Sequence, residues 1–268
     1  GVWIMDISDI LKGWQYDGPR ELMVRKITGK DGLPKIQMRV DLGILQMEWT
    51  ERPDGKEPHG KPSLLDYYLE KEDEQSLHPE MDGELSFSGK DLEALQMESY
   101  QYYYRRISFF QLEAYEEACG DAEHNLQIMD LVKKYAEDDE DKLAFEQYRP
   151  FVLMHRTKAR GLISTQRHDI EGALRHIENG IEEIEEFFHL HDRSDLIDES
   201  QELKVLRNMA EDIKGKRPAP EENSPEPQPK SLEESLNEEL LEAVELENFE
   251  RAAEIRDELK KHEENSNT

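Results

Sequence analysis

Cysteine is almost missing from this chain of 268 residues: Cys119 stands alone, which excludes an internal disulfide framework. That usage suits a reducing compartment, and a cytoplasmic location is expected. Cations are few beside the acids. Lys and Arg number 34 against 63 Asp and Glu, so the net charge is −29, and the mean hydropathy is −0.90. Nucleic-acid binding runs on cationic side chains that displace counterions, so direct binding of DNA or RNA is not expected of such a polyanion. Long apolar runs are missing too, and neither a signal peptide nor a membrane span is expected. Met5 is the expected start, with residues 1–4 upstream of it. The common catalytic signatures are absent: there is no glycine-rich phosphate loop, no paired CxxC, no HExxH and no GxSxG. The reading is therefore of a non-enzyme with no cofactor and no metal.

What is present divides by charge. Residues 1–61 hold ten acids and ten bases, residues 91–213 hold 29 and 14, and residues 214–268 hold 16 and 8, so the acidity belongs to the later parts. In the neutral stretch Ile36, Met38, Val40 and Leu42 alternate with Lys35, Gln37, Arg39 and Asp41, the period-two pattern of a strand buried on one face. Gly29 to Gly32 separates it from Leu22 to Thr28, which predicts a hairpin. Leu45, Met47 and Trp49 continue the apolar set with shifted parity, which predicts a bulge or tight bend at Gly43. Ser63 with Asp66 caps a short helix through Tyr67 and Tyr68, and Ser88 with Asp91 caps a long one.

Helix formers with apolar residues at three- and four-residue spacing predict helices over Leu92 to Leu112, Ala114 to Ala136, Leu143 to Arg167 with an interruption at Pro150, Ile170 to His189, and Leu196 to Lys214. Small residues recur at two junctions. Tyr115, Ala118 and Ala122 precede Leu126 at the first, and Gly161, Ala173, Ile177 and Gly180 mark the second, an arrangement that resembles the helix-turn-helix unit of tetratricopeptide repeats. Ala118 and Ala173 lie 55 residues apart, longer than one standard repeat of that family. Tyr100, Tyr102, Tyr103 and Tyr104, with Phe109 and Phe110, either line a peptide groove or form ordinary helix-packing core; Tyr100, Tyr103 and Tyr104 are the groove candidates. Cys119 is expected to be a buried small hydrophobe rather than a nucleophile. His189, His191 and Asp192 are expected at a fraying helix end, and Glu137 to Asp141 in a solvated acidic turn. Arg25, Lys35 and Arg39 share a polar sheet face, either solvated or contacting nucleic acid.

Five prolines between Lys214 and Lys230 predict an extended, flexible spacer. Beyond it Leu232, Leu236, Leu240 and Val244 recur every four residues, and a second amphipathic segment follows with Phe249, Ala252, Ala253 and Leu259. Asn248 is placed as an N-cap between them, which predicts an antiparallel helical hairpin. Leu240 to Leu259, LLEAVELENFERAAEIRDEL, resembles the UVR motif of the UvrB and UvrC excision-repair subunits, Clp ATPases and the activator of protein arginine kinase. The resemblance is carried by Ala243, Val244, Glu247, Phe249, Glu250, Ala252, Ala253, Arg256 and Asp257, and it implies a hairpin that pairs with another such hairpin or with a protein partner. The expected partner-binding residues are accordingly Leu240, Ala243, Val244, Glu247, Phe249, Ala252, Ala253, Arg256 and Leu259. The N-terminal portion is also similar to that of uncharacterised bacterial proteins ending in this motif.

The reading is an α+β chain, mainly α. A small N-terminal antiparallel β domain is expected over 5–75, a tetratricopeptide-like helical hairpin domain over 88–213, the Pro-rich linker over 214–230 and the UVR-type hairpin over 231–264. The function expected is that of an adaptor docking a UVR-bearing partner, such as a UvrB/UvrC-like subunit, a Clp ATPase or the arginine-kinase system, or a second copy of itself. The helical domain is a possible second docking site. The rival is an accessory factor of nucleotide excision repair that contacts DNA through the N-terminal sheet.

Overall fold

The computed structural model describes residues 7–14, 16, 22–77 and 85–215. The UVR-type hairpin and all of the linker past Gly215 lie outside the described residues. Within them the chain is mainly helical, with one small antiparallel sheet.

A short helix, α1 (Ser8–Leu11), precedes strands β1 (Val24–Thr28), β2 (Pro34–Val40) and β3 (Gly43–Glu48), which pair in chain order. Asp41 and Leu42 form a two-residue turn, so Val40 pairs with Gly43, Met38 with Leu45 and Ile36 with Met47. The parity shift read from the sequence is this tight bend. Leu42 corrects the expected strand pattern: it sits at the turn tip and is 95% exposed. Ile36, Met38 and Met47 close against Phe109, Ala118 and Ala159, with Trp49 edge-on to Phe109 at 5.0 Å. The opposite face was expected to be solvated, yet Lys35 and Gln37 are buried as well. Their partners are on the sheet itself, since Lys35 Nζ donates to Glu48 at 2.6 Å and Gln37 bridges Arg25 and Gln46.

Helix α2 (Leu64–Leu77) is longer than the short helix expected, and Ser63 caps it through Oγ to Asp66 N at 3.0 Å. Helices α3 (Gly89–Gln111), α4 (Tyr115–Tyr135), α5 (Asp139–Glu146), α6 (Arg149–Gln166), α7 (Ile170–Leu190) and α8 (Gln201–Gly215) follow. Ser88 and Asp91 form the predicted capping box of α3. The single interrupted helix expected over 143–167 is two helices. Pro150 lies in the first turn of α6, where its missing N–H is harmless. The acidic run 137–141 is not a free turn, because from Asp139 on it forms the first turn of α5, where carboxylates suit the helix dipole.

The 55-residue spacing is a spacing between equivalent positions. At the α3–α4 corner Glu113 is left-handed at φ 57°, and Ala114 N donates to Phe109 O at 2.9 Å; at the α6–α7 corner His168 has φ 59°, and Asp169 N donates to Ser164 O at 2.8 Å. Both corners are Schellman turns, which satisfy the last carbonyls of the outgoing helix. Ala118 and Ala173 follow them, fully buried. The α6–α7 pair approaches closely at Gly180, where a Cβ would stand 2.0 Å from Thr157 Oγ1.

Gly180→Ala should therefore destabilise the chain by about 1 to 3 kcal/mol through overpacking against a buried, β-branched side chain. Gly120→Ala, in the exposed middle of α4 with nothing near its Cβ position, should stabilise by about 0.5 to 1 kcal/mol. Urea midpoints at constant slope measure both, and equal shifts would contradict the packing described.

Candidate functional site

Polar groups converge where α3 and α4 meet the chain that runs from β3 to α2. Glu98 of α3 is fully buried and accepts from Arg52 Nε at 2.8 Å, Leu64 N at 2.9 Å and Leu65 N at 3.1 Å, with His124 Nε2 of α4 at 3.0 Å. One carboxylate thus caps the first turn of α2 and neutralises a buried guanidinium. Burial works against ionisation of Glu98, but the bonds from His124, the Leu64 amide and Arg52 outweigh it and hold its carboxyl below the ordinary value. The span 52–65 is consequently tied at both ends, while Asp54 to Glu57 and His59 stand exposed between.

One turn further along α3, Tyr102 stacks flat on His124 at 3.5 Å, and Arg105 forms a two-pronged ion pair with Asp121 of α4 at 2.9 and 2.7 Å. The third arm of Arg105 donates to Glu51 O at 2.6 Å and Glu48 O at 3.2 Å, fixing the exit of β3. Burial pushes the Asp121 carboxyl above its ordinary value against the pull of Arg105. Arg106 turns the other way and is 1% exposed; its Nε donates to His155 Nδ1 of α6 at 3.1 Å. Burial lowers Arg106 to about 10, and burial together with Arg106 keeps His155 well below its ordinary value, so His155 is the neutral acceptor at pH 7.

The groove candidates separate by helical face. Tyr102 and Phe109, for which groove and core were the two readings, are buried at 7% and 1% and belong to the core, because they continue the inward stripe of Leu92, Leu95 and Glu98. Tyr100 and Tyr104 are exposed, and Tyr103 is half-buried against Phe151 of α6 at 6.3 Å. Phe110 and Phe151 both contact the His155 ring, at 5.2 and 4.4 Å. Tyr103, Phe110, Phe151 and His155 therefore form an aromatic seam between α3 and α6, flanked by Tyr100 and Tyr104.

Arg25, Lys35 and Arg39 do share one sheet face, but each is engaged. Arg25 donates to Gln37 at 2.7 Å under the Trp14 ring, Lys35 pairs with Asp31 and Glu48, and Arg39 donates to the Val40 and Gly43 carbonyls beside Tyr16. Cys119 is partly buried, and burial raises its thiol above the ordinary value despite Arg160, so it is a poor nucleophile. His189 Nδ1 meets Ser194 Oγ at 2.8 Å at the end of α7, and His191 lies 3.9 Å from Glu146. A cleft of about 330 Å³ opens between α4, α6 and α7, but its cations Lys133, Arg149 and Arg156 are paired with acids on its own walls and close by. Among the described residues no helix is long and apolar enough to cross a membrane.

Sequence reasoning missed the buried charges. Their signal was available, since Glu98 and Arg105 fall in step with Leu95, Tyr102 and Phe109 on an otherwise apolar stripe. Leu240, Ala243, Val244, Glu247, Phe249, Ala252, Ala253, Arg256 and Leu259 lie outside the described residues. A family model described as the UvrB/uvrC motif matches residues 230–264. No curated protein and no solved structure matches the chain.

Glu98→Gln should destabilise the fold by about 3 to 5 kcal/mol at pH 7, because it removes the buried carboxylate shared by Arg52, His124 and the first amides of α2 and leaves Arg52 with Asp54 alone. A carboxyl held low in the folded state stabilises fully above its unfolded pKa and loses that contribution as pH falls through the folded value. The deficit should therefore shrink below about pH 4, as measured by denaturant unfolding across pH. A deficit independent of pH would refute the ionic role.

Proposed function

We propose that this chain is a non-enzymatic interaction protein that docks a UVR-bearing partner through residues 230–264. The observation that carries this reading is the UVR family match at those residues, which suggests pairing with proteins of the same kind. Partners of the right chemistry are the UvrB/UvrC-like subunits, Clp ATPases and the arginine-kinase system, or a second copy of this chain. The helical body, with its two matching corners and tetratricopeptide-like pairing, offers a second surface. The five prolines after Gly215 separate the two along the sequence, so partners held on both would be linked in one molecule at raised effective concentration.

Charge weighs against the DNA-contacting alternative. The chain carries −29, and the cations of the sheet face are already bonded to acceptors on the sheet or to ring faces. Neutralised cations release few counterions on contact with phosphate.

Immobilised full-length chain should capture a purified UVR-bearing subunit or ATPase, and Phe249→Ala should weaken that capture by about a hundredfold, as expected for loss of a buried aromatic ring. Arg256→Glu should weaken it as well if pairing across the interface is electrostatic. Capture unchanged in both variants would defeat the reading. Duplex DNA at physiological salt should show no binding below about 1 µM; tighter binding would favour the repair-accessory alternative.

A further inference from the structure

The acidity of the tail is confined to the segment that carries the UVR match. Residues 214–230 hold three acids and four bases, whereas residues 231–264 hold 13 acids and four bases, a net of −9. The four bases, Arg251, Arg256, Lys260 and Lys261, all follow Phe249, and residues 231–247 hold seven acids and no base. These acids fill the gaps of the four-residue apolar spacing. Glu233 and Glu234 stand between Leu232 and Leu236, Glu238 and Glu239 between Leu236 and Leu240, and Glu242 between Leu240 and Val244. Charges that border an apolar stripe decide which partner can cover it.

The body adds to this charge rather than offsetting it. Residues 1–213 hold 47 acids and 26 bases, and the arginines of α6 and α8 are taken up by acids of the body: Arg149 by Glu146 and Asp130, Arg156 by Glu183, Arg160 by Glu123 and Arg207 by Glu185. The 15 residues 216–230 can span up to about 50 Å, several times the screening length of about 8 Å at physiological salt. The charge that a partner meets at the segment is therefore the segment's own.

We propose that residues 231–264 select, among UVR-type segments, one whose Lys and Arg exceed its Asp and Glu, and that they reject a second copy of this chain. Two copies would set 26 acids and eight bases beside one apolar contact, and like charges across an interface suppress the pairing. A cationic partner reverses the sign of that interaction. The proposal rests on the UVR reading above and narrows it, from any segment of that kind to those of opposite charge.

The full chain carrying Glu233→Lys, Glu234→Lys, Glu238→Lys, Glu239→Lys and Glu242→Lys serves as the cationic probe. Fluorescently labelled wild-type chain, followed by sedimentation velocity at physiological salt, should be monomeric with excess unlabelled wild-type chain and dimeric with excess probe chain. The dissociation constant of the mixed dimer should rise at least about tenfold as salt goes from about 0.05 to about 0.5 M, and Phe249→Ala in the labelled chain should abolish the dimer. In about 1 M salt, where the screening length falls to about 3 Å, the wild-type chain should begin to pair with itself. Wild-type dimers already present at physiological salt, or no response to the probe chain, would overturn the proposal while leaving capture of UVR-bearing partners intact. A wild-type chain monomeric at both salt concentrations would show that charge is not what bars the second copy, and would overturn it too. So would a mixed dimer that survives Phe249→Ala, since bulk attraction between unlike charges would then account for it.

Discussion

The carboxylate of Glu98 is the constraint on which the rest of the described structure depends. It is removed from water, and each of its bonds anchors a different part of the chain: Arg52 after β3, the first two amides of α2, and His124 on α4. A buried charge is tolerable only when its hydrogen-bonding capacity is filled, and here four donors fill it. The arrangement fixes the path from sheet to helices beside the apolar contact of Ile36, Met38 and Met47 with Phe109, Ala118 and Ala159. Arg105 repeats the device two turns on, tying Asp121 to the carbonyls at the end of β3. Helix α3 thus presents two kinds of surface, an inward stripe that carries the charges and an outward one that carries the exposed tyrosines.

Charge placement explains why a very acidic chain has a neutral sheet and a cationic helix. Acids of α4, α5 and α7, namely Glu123, Glu146 and Glu183, pair with the arginines of α6. Single exposed pairs of this kind contribute little to stability. Arg25, Lys35 and Arg39 of the sheet are already bonded to acceptors within it.

Local patterns carried most of the fold in the sequence. The strand alternation around Ile36 and Met38, the hairpin at Gly29 to Gly32, the box at Ser88 and Asp91 and the helix spans follow from periodicity and caps, which are short-range. Leu42 went astray because alternation alone does not mark where a strand ends. Pro150 suggested an interruption, though not that a proline in a first turn begins a new helix. The buried charges were hidden for a different reason. Glu98, Arg105 and Arg106 read as solvated by composition, and only their phase relative to Leu95 and Phe109 places them inside. Their partners, Arg52, Asp121 and His155, are 16 to 49 residues distant, which no local pattern encodes. The tyrosine cluster was legible as either groove or core with Tyr100, Tyr103 and Tyr104 singled out, and of these Tyr100 and Tyr104 are exposed while Tyr103 is half-buried against Phe151.

Native-state hydrogen exchange at the Leu64 and Leu65 amides tests the central role of Glu98 most directly. Amides in the first turn of a helix have no intrahelical acceptor and ordinarily exchange by local fraying. Clamped by a buried carboxylate, these two should exchange only with global opening, at the same free energy as the amides of Ile128 and Met129 in the middle of α4. Exchange at the rate of an exposed helix end, while α4 stays protected, would contradict the account and leave the sheet and α2 as separately opening parts.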